Sequence, residues 1–308
     1  MSARDSNPVM TSLIRILSRV VALVVIAVVL LAGLLLAGVD PVVRMTASAI
    51  YQARVWYYAG STHYCPVCQS HLSMFVSGGT KTRSNVECVA CGSRERHRRD
   101  WLYVEKHTDL LDGRPKKMLH VAPEASLAKR FQAAPNIDYL SGDLDPALAM
   151  VKMDITDIQF PDNTFDVIYC SHVMEHIPDD RLAMRELYRV LKPGAWAIIH
   201  APITQKQTFE DPSVTTPEER FRVFGQSDHV RIYGEDYVDR LRESGFEVAV
   251  EHFIESFSQE EVERLGLQSD QYPADRYIYV SRKPSESGSV SDSVRGDKTR
   301  AALDRARL

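Results

Sequence analysis

Residues 165 to 196 read FDVIYCSHVMEHIPDDRLAMRELYRVLKPGAW, and the changes of period along them decide the fold. Phe165 to Ser171 is a nearly continuous apolar run, the pattern of a strand buried on both faces of a parallel sheet. In DDRLAMRELYRVLKPG the residues Ala183, Leu187, Val190 and Leu191 fall on one helical face. Asp179 or Asp180 can cap the start of that helix, and Pro193-Gly194 is placed to end it. A second apolar run, AWAIIHAP at 195 to 202, follows at once. Strand, helix and strand in immediate succession make a βαβ unit, whose parallel strands need a helix to cross between them.

Working outward, further strands are predicted at 116 to 122 (KKMLHVA), 138 to 143 (DYLSGD), 151 to 154, 246 to 253 and 275 to 282. The last two are separated by a loop and a helix, which predicts an antiparallel element at the end of a mostly parallel sheet flanked by helices. The chain has 308 residues, 44% of them hydrophobic and 25% charged. That is enough for one full α/β core and a small extra module. A net charge of -4 argues against a protein that grips nucleic acid with its whole surface. From Pro284 onward the sequence is rich in Ser and charge and poor in apolar residues, the composition of a disordered tail.

Val20 to Val39 is an uncharged apolar run, matching the roughly 20 helical residues that cross a bilayer. It is longer than the apolar core of a signal peptide, and the small-x-small site at Ala47-Ser48-Ala49 lies too far beyond it. A single transmembrane helix is therefore expected. Arg4, Arg15 and Arg19 before the span would hold the N-terminus in the cytoplasm and export the rest. Four metal-spaced cysteines prefer a reducing compartment, so the expectation is an inner (plasma) membrane protein with its catalytic domain in the cytoplasm. Residues 40 to 60 form an aromatic connector in which Trp56, Tyr57 and Tyr58 suit either the headgroup level or packing on the next module.

Cys65-Pro-Val-Cys68 and Cys88-Val-Ala-Cys91 have the spacing of a four-cysteine structural zinc site, with two disulfides or a redox pair as the alternatives. Gly92 suits the tight turn of such a knuckle. The basic run SRERHRRDW at 93 to 101 follows. It reads equally as a clamp for an anionic group, a phosphate track or a solvated helix face. The expected organisation is a flank at 1–19, a transmembrane helix at 20–39, a connector at 40–60 and a zinc module at 61–100. The main domain follows at 101–283 and the tail at 284–308.

The segment from Met153 to Trp196, with MDITDIQFPDNTFDV, MEHI and ELYRVLKPG in order, resembles the class I S-adenosylmethionine-dependent methyltransferases of the type 11 group. With the cysteine pairs, SRERHR, LHVAPE and DHVRIYG, it is similar to a bacterial branch carrying an N-terminal four-cysteine zinc knuckle. The resemblance covers about residues 116 to 283. It implies an α/β fold with a Rossmann-like, doubly wound, mostly parallel sheet, preceded here by the transmembrane helix and a small zinc-ribbon-like module. It also implies S-adenosylmethionine bound at the carboxyl ends of the first strands, as the switch-point rule requires.

By that resemblance Asp143 accepts from the ribose hydroxyls, with Asp145 as substitute and a turn aspartate as the plain alternative. Asp154 accepts from the adenine amino group, or caps a turn, and Ile155 packs on the ring. The family's first loop is acidic-x-G-x-G-x-G; here His120, Ala122, Glu124 and Ser126 occupy those positions. Ala122 is the smallest change and Pro123 pre-sets a turn. Glu124 stands at a helix start, where a carboxylate is favoured, and is the candidate partner of the cofactor's α-ammonium. A domain that has lost its cofactor, serving as a scaffold, is the alternative.

The acceptor face of this family is built from residues after the fourth and fifth strands, here Ser171, His172, Glu175 and His176, then EERFRVFGQSDHVRIYGEDYV at 218 to 238. His229 is the candidate general base, oriented by Asp228, with His172 and His176 as substitutes. Arg222, Arg231 and Tyr233 are the candidate acceptor-binding residues. Cys170 lies on a strand and is expected to pack in the core. A membrane tether favours a small-molecule, lipid-linked or glycan acceptor. An RNA methyltransferase is the rival reading, which the acidic balance disfavours.

Overall fold

The structure is a computed structural model that describes residues 39–79, 82–268 and 276–285, together with Val21, Val24, Val25 and Val28. The predicted span at 20–39 and the tail fall almost wholly outside the described residues. Among the described residues no helix is long and apolar enough to cross a membrane. The connector is helical: α1 runs from Val39 to Tyr57 and leaves Trp56 and Tyr57 exposed.

The chain divides into two compact units. The first, to Arg94 with Glu263–Gly266, holds α1 and the hairpins β1 (Ala59–Cys65) with β2 (Ser70–Leu72) and β3 (Val76–Gly78) with β4 (Arg83–Glu87). The second begins at Glu95, so the basic helix α2 (Glu95–His107) belongs to the α/β unit and not to the cysteine module.

After α2 come β5 (Lys116–Val121), α3 (Ala125–Ala133), β6 (Ile137–Asp143), β7 (Val151–Lys152) and β8 (Phe165–Ser171). They are followed by α4 (Asp180–Val190), β9 (Leu191–His200), β10 (Ile203–Gln205), β11 (Phe209–Glu210), α5 (Pro217–Phe224) and β12 (Arg231–Gly234). The unit closes with α6 (Tyr237–Glu243), β13 (Glu247–Glu251), the start of α7 (Gln259–Leu265), whose residues from Glu263 fall in the first unit, and β14 (Ile278–Arg282). Seven strands form one sheet in the order β13-β14-β9-β8-β5-β6-β7. The pairs among β5 to β9 are parallel, and β14 is antiparallel to both neighbours. Strand order reverses at β5, flanked by β6 on one side and β8 on the other, which opens a crevice outside their carboxyl ends.

β8 is buried along nearly its whole length, as its apolar run requires. α4 is capped by Asp179, whose carboxylate accepts from Leu182 N at 2.9 Å, and buries Ala183, Met184, Leu187 and Val190 against the sheet. Pro193-Gly194 does not end it. The chain is already extended at Leu191, and Pro193-Gly194 lie inside β9, where Gly194 takes φ 77° and its N–H donates to Lys283 O. The pairing of β9 with the residue after β14 sets that backbone, and glycine alone tolerates it cheaply.

The basic run is not a solvated face. Arg98 and Arg99 are buried to 0% and 1% exposure. Arg99 pairs with the buried Asp100, whose other oxygen accepts from Tyr169 at 2.8 Å and lies 3.1 Å from His200 Nε2. A buried guanidinium is tolerated only with such partners, and they leave Arg98 and Arg99 no surface on which to track phosphates.

Candidate active site

Two sharp turns leave the carboxyl ends of the neighbouring strands β5 and β8, and each places a non-glycine residue in left-handed backbone: Ala122 at φ 47° and His172 at φ 57°. The cost is on the order of 1–2 kcal/mol each. At Ala122 the turn keeps the conformation that glycine would supply, so the loop without glycines retains its bend. Ala122 N donates to Gly142 O at the end of β6, and His172 N to His200 O at the end of β9. Each turn is thereby tied to the next strand.

In the first turn Glu124 stands before α3 and serves as its N-cap position without a side-chain cap bond. Its Oε2 is 3.1 Å from His120 Nε2, and its Oε1 lies 3.4 Å from His97 Nε2 and 3.8 Å from Arg96. His120 is fully buried and pairs through Nδ1 with Tyr139 Oη. Burial pushes the Glu124 carboxyl up, but hydrogen bonds from His120 and His97 and their charge carry it well below the ordinary carboxylate range. Glu124 is thus an anion, already engaged by protein groups, and Ala122 and Pro123 beside it are half-buried.

Asp143 closes β6 and Asp154 follows β7. Asp143 Oδ1 accepts from Asp145 N, and Asp154 Oδ1 accepts from the N–H and hydroxyl of Thr156. Both use one oxygen for their own turn, and the second oxygen has no protein partner among the described residues. Ile155 is buried, with Met153, in the core. The sequence reading missed Leu144, Leu148 and Met150, apolar side chains 57 to 64% exposed in the loop after Asp143. Exposed apolar side chains clustered in one loop are uncommon without a partner. Their signal was the unusually apolar loop DLDPALAMV.

The second turn leads through a single 3-10 turn at Met174–His176. Glu175 is 1% exposed; His172 Nδ1 lies 3.4 Å from its Oε1, while its Oε2 is buried without a hydrogen-bond partner among the described residues. His229 arrives from the segment before β12, 7% exposed, its Nε2 equally unpartnered, with its ring edge-on to His176 at 4.7 Å. A buried polar atom left unpaired costs about 1–3 kcal/mol. Burial lowers the His229 imidazole below its ordinary value, against the opposing charge of Glu175, so the ring is held neutral. The structure brings His172, His176 and His229 into one group, but Asp228 pairs with His176 Nδ1 at 3.1 Å and not with His229.

Arg231 and Tyr233 do not offer their polar groups to an acceptor. The Arg231 guanidinium donates to the carbonyls of Met174, Ile177 and Pro178 and to Glu210 Oε1. Tyr233 donates to Asp180 Oδ2 at 2.6 Å, and Asp180 also holds Arg240 at 2.9 Å. Both side chains are buried and staple β12 onto the turn after β8, with Val230 N donating to Glu175 O at 2.9 Å. They are the means by which His229 reaches Glu175. Arg222 lies on the exposed face of α5 and Ser171 is buried at the end of β8. Cys170 is fully buried in the core.

In the other unit, Cys65, Cys68, Cys88 and Cys91 are free thiols whose Sγ atoms all lie within 4.8 Å of one another. Two of these separations, Cys65 to Cys91 and Cys68 to Cys88, are 3.7 Å. That is far longer than the ~2.05 Å of a disulfide and close to the edge of a tetrahedron with Zn–S of about 2.3 Å. Hydrogen bonds from the other three thiols pull Cys65 down, while those of Cys65 and Cys68 push Cys91 up. Such crowding of thiols suits a cation.

With this geometry in place, residues 111–199 match the family described as Methyltransferase domain. A 2-phytyl-1,4-naphtoquinone methyltransferase from Nostoc punctiforme is 32% identical over 124 residues, covering 35% of this chain and 54% of that protein. A sterol 24-C-methyltransferase from Aspergillus fumigatus is 43% identical over 51 residues, 17% of this chain and 14% of that protein. The chain spans about half or less of the length of these relatives. A solved S-adenosylmethionine-dependent methyltransferase from Mesorhizobium loti aligns with a TM-score of 0.45 at 13% identity, over 60% of this chain and 98% of that one.

Proposed function

We propose that this chain transfers the methyl group of S-adenosylmethionine to a small-molecule acceptor of apolar or lipid-linked kind. The observation that carries the reading is the pair Asp143 and Asp154 at the ends of β6 and β7. Each has one carboxylate oxygen uncommitted, beside the exposed Leu144, Leu148 and Met150. In this reading Asp143 accepts from the ribose hydroxyls, Asp154 from the adenine amino group, and the Ile155 segment and the apolar loop enclose the ring. Ala122 and Pro123 shape the turn under the methionine part, Glu124 faces the α-ammonium, and Ser171 closes the floor.

The acceptor lies by His172, His176 and His229. Methyl transfer from a sulfonium is an in-line displacement, so the site mainly aligns acceptor and methyl and, where the acceptor is protonated, takes its proton. His229, held neutral, is suited to that role. Arg222 remains an acceptor contact at the rim. The naphthoquinone and sterol substrates named for the two relatives support an apolar acceptor. The apolar run at 20–39 would tether the domain to a membrane, with the catalytic unit on the cytoplasmic side, and raise the local concentration of such acceptors. The four thiols would hold a structural zinc ion.

Membranes incubated with the full chain and S-adenosylmethionine labelled on the methyl group test this directly. Label is expected in the organic-extractable fraction. Label confined to RNA or protein overturns the acceptor class. Metal analysis is expected to return zinc that Cys88→Ser removes, and alkaline extraction is expected to leave the chain in the membrane.

A further inference from the structure

We propose that Glu175, His176 and His229 form a binding site for a divalent transition-metal ion whose open positions take an oxygen atom of the acceptor. It deepens the reading above, since it places a cation at the acceptor end of the same crevice and selects acceptors with a hydroxyl, phenol or enol oxygen.

One carboxylate oxygen and one nitrogen from each ring lie within 4.8 Å of one another. Glu175 Oε2 and His229 Nε2 are both buried and both without a hydrogen-bond partner among the described residues. A buried carboxylate oxygen and a buried imidazole nitrogen, neither hydrogen-bonded among the described residues, are left uncompensated by the protein alone. A cation satisfies both at once. Two imidazoles and one carboxylate are the donor set of first-row divalent ions that keep open positions for a ligand.

The surroundings have the form of an outer shell. Asp228 Oδ2 lies 3.1 Å from His176 Nδ1, the carboxylate support that commonly fixes a metal-bound imidazole, and leaves the other ring nitrogen to ligate. His172 Nδ1, 3.4 Å from Glu175 Oε1, steadies the carboxylate in the same way. The backbone is equally constrained: Val230 N donates to Glu175 O, and Arg231 grips the carbonyls of Met174, Ile177 and Pro178. Two segments more than 50 residues apart are thus locked so that the three ligands converge.

Manganese(II) is the probe of choice, because it has little affinity for the four-thiolate cluster. Titration of the full chain, followed by the electron-spin resonance of free manganese, is expected to show one equivalent bound. Glu175→Gln and His229→Gln are each expected to weaken it by about tenfold or more. Should a variant fail to fold, pulsed resonance of the unaltered chain is expected to show imidazole nitrogen coupled to the manganese. No binding at roughly millimolar manganese, or binding without nitrogen coupling, overturns the proposal. Binding of S-adenosylhomocysteine, measured on the same samples, separates the two readings. Cofactor bound without manganese sinks the metal site alone, and manganese bound without cofactor sinks the transferase reading alone.

Discussion

The two turns at the carboxyl ends of β5 and β8 solve the same backbone problem and surround their carboxylates with different groups. Each bends through a non-glycine residue at positive φ and ties itself to a neighbouring strand. Around the first, the carboxylate of Glu124 is met by His120, His97 and Arg96. Around the second, Glu175 and His229 each keep a buried atom with no hydrogen-bond partner among the described residues. Glu124 Oε1, like Glu175 Oε2, is buried without a hydrogen bond among the described residues, but an arginine stands with the two histidines around Glu124, whereas Glu175 stands among His172, His176 and His229. A site's unmet polar demand, more than its motif, marks where a ligand belongs.

The comparison breaks most readily at its scaffold. Replacing Arg231 by Met removes the guanidinium from three carbonyls and leaves Glu210 with one arginine fewer. Breaking one side of such a buried ionic contact costs about 3–5 kcal/mol, read as a loss of urea stability. A loss below about 1 kcal/mol would mean that Arg231 is not a staple and return it to the acceptor.

Asp100, which holds Tyr169 of β8 and His200 of β9, is next. Burial raises its carboxyl, but the charges of Arg99 and His200 and a hydrogen bond from Tyr169 bring it below the ordinary range. A lowered folded value means that its contribution is fully present above the unfolded pKa of about 3.9 and is lost as pH falls through the folded value. Asp100→Asn should therefore cost about 3 kcal/mol at neutral pH and flatten the acid limb of stability below about pH 4. An unchanged acid limb would contradict the assignment.

Glu124→Gln sharpens the contrast on the cofactor side. Removing the anion that faces the α-ammonium should weaken cofactor binding about tenfold, near 1.4 kcal/mol, with a smaller effect on manganese than Glu175→Gln. Unchanged cofactor affinity would leave Glu124 as a partner of His120 and His97 only. The smallest expected effect is at Ala122. Glycine there relieves left-handed strain of about 1–2 kcal/mol but loses about 0.4–1 kcal/mol in unfolded-chain entropy. A net gain of about 0.5 kcal/mol is therefore expected from Ala122→Gly in thermal unfolding. A net loss would show that the φ of 47° is not strained.

The sheet was legible in the sequence because its signals are local. Phe165 to Ser171 and the α4 face carry their period within a few residues, and both stand where predicted. Pro193-Gly194 misled because the pairing of β9 with the strand around Lys283 overrides a local stop signal. Arg231 and Tyr233 were read as acceptor contacts, as loop polar residues often are. Their partners are carbonyls and a carboxylate more than 50 residues away, which no local pattern reveals. Arg98 and Arg99 misled for the same reason, since burial of a charge depends on a counter-charge on another element. The grouping of His172, Glu175, His176 and His229 was half visible: the residues were named, but not that Asp228 would support His176.

Isothermal calorimetry of S-adenosylhomocysteine binding to the full chain, repeated with Asp143→Asn and Asp154→Asn, tests the reading at its root. Saturable heat from the unaltered chain, weakened about tenfold or more by each substitution, is the predicted result. A folded chain that gives no heat with roughly millimolar ligand, or one that binds equally well without either carboxylate, would contradict it.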